Sequence, residues 1–362
     1  MKVLILNETA GSSRYWGSAI PLLRSRGIDV SFVSLRGTGP ITEVLEGQGI
    51  PTSALGAGSS LDYPKAVSKL VKIIKKEGFH IVHASESLPA AVAGTACAFG
   101  GKTKCIFHYH HTRSAGVQRT LSMVGSKLSD MVMAVSESSR EATIANDRTP
   151  RQKTFVAYNG INALRSVSDD ETRDLRRSLE IPDGAKVMTI VGRLGKGKGH
   201  TTLFEACRIA AATLRQPLHL IVVGDGEEMS ALKSAASHQS HFKIHFVGHK
   251  DDVALYYAAA DVVANPSYHE SFGLAAVEAM SCGKAVVASD IEGLAEIIEN
   301  GTSGLLVPAG DASALADAIL SVFDDAEFGA RLGENARARV GQKFTMDKMV
   351  GSWIECYKAI LS

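Results

Sequence analysis

Short runs of aliphatic and β-branched residues recur along the chain, each followed by a stretch whose apolar positions return every three or four residues. The first habit suits a strand and the second an amphipathic helix, so their alternation predicts βαβ units and parallel sheets. Strands are expected at 3–6, 30–35, 52–55, 81–84, 105–109, 131–135 and 154–158, with helices at 15–26, 63–76, 89–99 and 117–128. A polar interval, 166–184, follows, with a short helix expected around 171–179, and ends in the turn signal Ile181-Pro182-Asp183-Gly184. The alternation then restarts, with strands at 187–191, 218–223, 244–247, 262–264, 285–288 and 305–307 and helices at 201–215, 228–236, 253–259 and 273–280. The remainder, 312–323, 327–342 and 346–361, reads as helix alone. The expected fold is therefore α/β, with Rossmann-like lobes at 1–165 and 166–345 and a last helix, 346–362, packing back on the first lobe. Open parallel sheets bind ligands beyond their strands' carboxyl ends, so two such lobes are expected to face a cleft.

Composition narrows the partners. Among 362 residues, 39 Lys and Arg balance 38 Asp and Glu, a net charge of +1 that argues against a nucleic-acid partner. The five cysteines are scattered, with no C-x-x-C pair, and read as reduced thiols. The first apolar run ends at Leu6, too short for a signal segment or a membrane span, so a cytoplasmic location is expected. Peripheral contact with the inner face of a membrane stays open, through residues such as Arg113, Arg119 and Leu121.

Chemistry concentrates at the ends of the second lobe's strands. Gly192-Arg193-Leu194-Gly195-Lys196-Gly197-Lys198-Gly199-His200 sets cationic side chains on glycine-rich backbone. Arg193 offers a planar fork and Lys198 a mobile point charge, which suits a diphosphate; a solvated basic loop is the plainer alternative. The run matches part of a P-loop, yet Gly199 stands where a Mg²⁺-binding Ser or Thr is required, against a nucleoside triphosphatase. Gly224-Asp225-Gly226 forms a second tight turn, and Gly248, His249 and Lys250 close the third strand, where a nucleobase has room to rest against backbone. An ordinary turn with Asp251 as helix cap fits the same residues. After Pro266 and Ser267, the stretch His269-Glu270-Ser271-Phe272-Gly273-Leu274 runs into an apolar helix carrying Glu278 and closed by Gly283. The backbone N–H groups of Ser271, Phe272, Gly273 and Leu274 are expected to form an anion-binding first turn. At 1.5 Å per residue, Glu278 would lie roughly 10 to 12 Å along the helix from Glu270, near the reach from diphosphate to ribose. Two ordinary surface glutamates fit as well. In the first lobe His108, His110 and His111 close the fifth strand, but no H-E-x-x-H, Cys pair or D-x-D accompanies them, so no metal or other cofactor is expected.

The setting PSYHESFGLAAVEAMSCGKAVVAS with its E-x7-E pair, Gly192-Arg193 with Lys198-Gly199, and Val223-Gly224-Asp225-Gly226 resemble family 4 of the retaining glycosyltransferases. Weaker parallels are Val135-Ser136-Glu137, Tyr158-Asn159-Gly160-Ile161 and the histidine near the end of the fifth strand. The resemblance implies a GT-B architecture and transfer of a hexose-type sugar from a nucleoside diphosphate to an acceptor hydroxyl, with retention. It also implies that Arg193 and Lys198 neutralise the donor diphosphate, that Glu278 holds the ribose and that Glu270 faces the sugar. His110 best matches the histidine near the reacting centre, with His108 and His111 as alternatives. The family's first loop often carries adjacent glycines; here Gly11 and Ser12 stand in for them. A nucleotide-sugar epimerase or hydrolase and a non-catalytic nucleotide-sugar-binding protein are the competing readings.

Overall fold

The computed structural model describes every residue except 12–13, 60–61, 113–115 and 238–240. Ser12 and Arg113, both singled out above, lie outside the described residues. The chain forms two compact units, Met1–Asn162 together with Met346–Ser362, and Ala163–Thr345.

In the first unit the strands are β1 (Lys2–Asn7), β2 (Asp29–Ser34), β3 (Thr52–Ala54), β4 (Ile81–Ser85), β5 (Lys104–Tyr109), β6 (Met131–Ala134) and β7 (Thr154–Val156). They pair in parallel in the order β3-β2-β1-β4-β5-β6-β7. Helices α1 (Arg14–Ser25), α2 (Pro40–Gly47), α3 (Tyr63–Glu77), α4 (Ser87–Phe99), α5 (Gly116–Leu128) and α6 (Glu137–Asp147) connect them. Strand β1 shows why the sheet is sandwiched: Val3 and Ile5 enter one apolar core and Leu4 and Leu6 the opposite one, as alternation across a pleat demands.

The second unit's strands are β8 (Lys186–Val191), β9 (Leu218–Val223), β10 (Lys243–Gly248), β11 (Val262–Asn265), β12 (Ala285–Ser289) and β13 (Leu305–Val307), parallel in the order β10-β9-β8-β11-β12-β13. Its helices are α7 (Asp169–Ser178), α8 (His200–Thr213), α9 (Met229–Ala236), α10 (Ala254–Ala259), α11 (Leu274–Ser281), α12 (Glu292–Ile297), α13 (Ala312–Asp324) and α14 (Ala326–Lys343). Each sheet reverses its strand order once, beside β1 in the first and beside β8 in the second. The crevices at such switch points are where ligands bind. Helix α15 (Met346–Leu361) belongs to the first unit, where Met349, Val350, Trp353, Cys356 and Tyr357 fill the core against α1.

Three helices escape the sequence pattern: α2, α6 and α12. Helix α6, ESSREATIAND, has almost no apolar stripe; it is held by Ser136, whose hydroxyl accepts from the Ser139 N–H. Helix α11 starts at Leu274, so Ser271, Phe272 and Gly273 precede it. Among the described residues no helix is long and apolar enough to cross a membrane.

Candidate functional site

Backbone, more than side chain, builds the second unit's site. The Gly192 N–H donates to the Val223 carbonyl at 3.0 Å, the Gly224 N–H to the Gly248 carbonyl at 2.9 Å, and the Leu194 N–H to the Asp225 carbonyl at 2.9 Å. The carboxyl ends of β8, β9 and β10 are thus stitched side by side. Glycine is required at the join, because a Cβ on Gly224, at φ 137°, would stand 1.8 Å from the Gly192 carbonyl oxygen. Beside this join lies a cavity of about 410 Å³ walled by Gly192, Arg193, Gly224, Asp225, His249, Lys250 and Val253. Five residues selected from the sequence therefore meet around one space. Gly248 serves it through its carbonyl; Asp225 stood in the turn motif without an assigned role, and Val253 was not selected. Asp251 does not cap α10; Asp252 accepts from the Ala254 N–H instead.

The same β8–α8 loop also meets the loop that follows β11. The Tyr268 N–H donates to the Gly197 carbonyl at 2.9 Å, and a Cβ on Gly199 would strike the Pro266 carbonyl at 2.0 Å. This close approach of the β8–α8 loop to the β11–α11 loop brings Lys198 Nζ within 2.5 Å of Glu270 Oε1. Ser267 Oγ lies 3.1 Å from the same oxygen. Sequence reasoning assigned Lys198 to phosphate and Glu270 to sugar, yet the two side chains form a part-buried ion pair. It also treated Glu270 and Glu278 as points along one helix, but Glu270 stands in the loop before α11, so the helical spacing between them does not apply. The anion-binding turn needs the same correction. Phe272 is buried against Phe344, edge to face at 5.6 Å, and acts as an apolar anchor. Gly273 takes φ 99° and caps α11, accepting from the Ala276 N–H, so the helix's first turn begins at Leu274. Glu278 accepts from Tyr257 Oη at 3.2 Å; burial first, and then the nearby carboxylate, hold the Tyr257 phenol well above its ordinary range. The Tyr257 N–H in turn bonds to the carbonyl of Val253, a wall of the cavity.

In the first unit the three histidines separate by depth. His108 is fully buried and neither of its ring nitrogens has a hydrogen-bond partner among the described residues. It packs against His83 at 5.0 Å and Trp353 at 5.3 Å between ring centroids. His83 ties the cluster to α15, its Nδ1 2.6 Å from Tyr357 Oη. Burial pushes the His83 imidazole down to about 3, with the charge of His110 adding to the effect. His110 keeps some surface, its Nε2 3.1 Å from Ser85 Oγ, although the rings around it are crowded enough for burial to lower its pKa. His111 meets the Glu86 carboxylate at 2.6 Å, and that hydrogen bond raises it. Glu86 carries no motif, and nothing in the sequence pattern marked it. Gly11, between β1 and α1, is exposed, and a Cβ there would meet the Thr9 hydroxyl at 3.9 Å. On α5, Arg119 is exposed and Leu121 is half-buried.

Two family models match the chain, one described as Glycosyltransferase Family 4 over residues 9–165 and one as Glycosyl transferases group 1 over residues 171–339. N-acetyl-alpha-D-glucosaminyl L-malate synthase of Bacillus anthracis is 28% identical over 306 residues, covering 81% of this chain and 78% of the relative. D-inositol 3-phosphate glycosyltransferase of Corynebacterium glutamicum is 36% identical over 201 residues, 52% of this chain and about half (48%) of the relative. HepE of Anabaena, crystallised in complex with UDP, superposes with a TM-score of 0.85 at 26% identity, covering 99% of this chain and all (100%) of that one. It has also been crystallised in complex with UDP-glucose. With two Rossmann-like lobes and models of one enzyme family matching along most of its length, the chain belongs to glycosyltransferase family 4 and has the GT-B fold.

Proposed function

We propose that the protein transfers a hexose-type sugar from a nucleoside diphosphate to an acceptor hydroxyl with retention at the anomeric carbon. The observation that carries this reading is the cavity at the joined ends of β8, β9 and β10, with Arg193 and Lys250 on its wall and Lys198 further along the loop that carries Arg193. A nucleobase and ribose suit the apolar and backbone surfaces there, Glu278 being offered to ribose hydroxyls. Arg193 and Lys198 suit the diphosphate. As the bond between the anomeric carbon and the β-phosphate oxygen breaks, negative charge grows on that oxygen, and fixed cations lower its energy most. The acceptor oxygen then bonds to the same face of the anomeric carbon and passes its proton to the departing phosphate. Glu270, held by Lys198, is offered to the sugar's hydroxyls. HepE's complexes with UDP and UDP-glucose support a uridine donor, and the relatives named for L-malate and inositol 3-phosphate support a small hydroxylated acceptor. A lipid-linked acceptor has support from α5, where Val117, Met123, Val124 and Leu128 are exposed among Arg119 and Lys127.

The test is turnover of UDP-glucose over a panel of small and lipid-linked acceptors, with and without anionic vesicles. Acceptor-dependent release of UDP, with an α-linked product, is expected. Donor consumption that ignores every acceptor would favour hydrolysis or epimerisation, and tight UDP binding with no turnover would favour a binding protein. Rates indifferent to vesicles would remove α5 from the reading.

A further inference from the structure

Glu86, between β4 and α4, has φ 76° and ψ 165°, a conformation open to glycine and costly for a residue with a side chain. Helix capping does not account for it, since the side chain makes no cap hydrogen bond to α4. The carboxylate reaches instead over the end of β5 to accept from His111 Nε2 at 2.6 Å, while the Glu86 N–H donates to the His108 carbonyl at 3.3 Å. One strained residue is thereby tied to both ends of the segment that carries His110.

The adjacent histidines consequently meet opposite surroundings. Around His110 stand the His108 ring at 4.1 Å, the Tyr15 ring at 6.3 Å and Ser85 Oγ at 3.1 Å. Burial and the neighbouring His111 favour its neutral form, and the Glu86 charge only partly opposes them. Around His111 stand Glu86, Gln118 on α5, the Tyr109 ring at 6.0 Å and, further off on α6, Asp147. Of these, the Glu86 hydrogen bond and then the charges of Glu86 and Asp147 raise the His111 pKa, against the opposing effect of burial. Burial pushes the Glu86 carboxyl up, but the His111 hydrogen bond and the two imidazoles outweigh it and keep it ionised. Neighbouring titratable groups driven apart in this way mark a division of labour.

We propose that Glu86 is a positioning residue for glycosyl transfer, its short hydrogen bond to His111 and its N–H on the His108 carbonyl together fixing the segment that presents His110 to the substrate. The inference rests on the reading of His110 as the histidine offered to the reacting sugar.

Two variants test this, Glu86→Gln, which keeps shape and removes charge, and Glu86→Gly, which suits the backbone and removes the side chain. Histidine ring resonances of the unliganded protein are followed by NMR against pH, alongside UDP-glucose turnover and melting temperature. In Glu86→Gln the His111 titration point is expected to fall by on the order of 1 pH unit. The alkaline limb of the rate profile should move down with it, because the protonated His111 is lost as pH rises through its pKa. For both variants kcat is expected to fall by on the order of 10²-fold, with KM for UDP-glucose within about 3-fold of wild type. Glu86→Gly should nonetheless melt no lower than wild type. An unmoved His111 titration in Glu86→Gln overturns the proposal, whatever the donor, and so does wild-type kcat in Glu86→Gly. If the unaltered protein does not turn over UDP-glucose, the donor reading fails and the titration alone decides this one.

Discussion

At the end of the second sheet Gly192, Gly224 and Gly248 let three backbones bond directly to one another, whereas at the end of the first sheet His83, His108 and His110 crowd ring on ring beside Trp353. The first arrangement leaves peptide groups and a few long cations to meet a ligand, a surface suited to what every nucleoside diphosphate shares. The second spends large side chains on holding one or two imidazoles at a chosen depth and charge. A site made of backbone tolerates little change in volume; a site made of stacked rings is sensitive to protonation.

The largest effect should come from the second sheet's cations. Arg193→Ala or Lys198→Ala is expected to lower kcat for sugar transfer by about 10²- to 10³-fold, read by steady-state turnover. A loss confined to KM would reduce both residues to simple donor binding. Next comes the backbone join: Gly224→Ala should destabilise the protein by about 3 kcal/mol, since its Cβ meets the Gly192 carbonyl and its φ is 137°. Urea titration checks it, and an unchanged midpoint would show that the strand ends part easily. Smaller still is the acid response of the first unit. His83 titrates near 3 when folded and near 6.5 when unfolded, so the unfolded state binds the proton first and stability falls as pH drops below about 6.5. The loss from this residue should reach about 2 kcal/mol by pH 5. Both tryptophans, Trp16 and Trp353, lie in the first unit, so their fluorescence reads that unit alone. In His83→Gln the pH dependence should flatten by the same amount; a slope equal to wild type would mean that the cluster takes up water at little cost.

The fold was legible because apolar runs and helical periodicity are local, and each strand of both sheets left such a run. Helix α6 was not, since its support is a serine cap and its tertiary position rather than an apolar face. Much of the second unit's site was legible for a related reason: glycines at strand ends announce close backbone approach, and Arg193, Gly224 and Lys250 do meet around one cavity. What composition could not convey was pairing. That Lys198 turns to Glu270 depends on two loops brought together by Gly199 and Pro266, residues far apart in the chain. Phe272 reads as part of a ligand turn until Phe344 covers it. Glu86 was invisible because its distinction lies in a backbone angle and in a partner 25 positions away, and neither leaves a mark in the residues around it.

Helix α15 gives the chain an order of assembly that differs from its order of synthesis. Residues 1–162 emerge first, yet Trp353 and Tyr357, which cover His83 and Trp16, are made only after the whole of the second unit. The second unit, continuous in sequence, can close while the first still exposes Ile20 and Leu23 along α1. During translation the earlier half must therefore wait, with an apolar groove open, for a segment made more than a hundred and eighty residues later (162 to 346) to shut it.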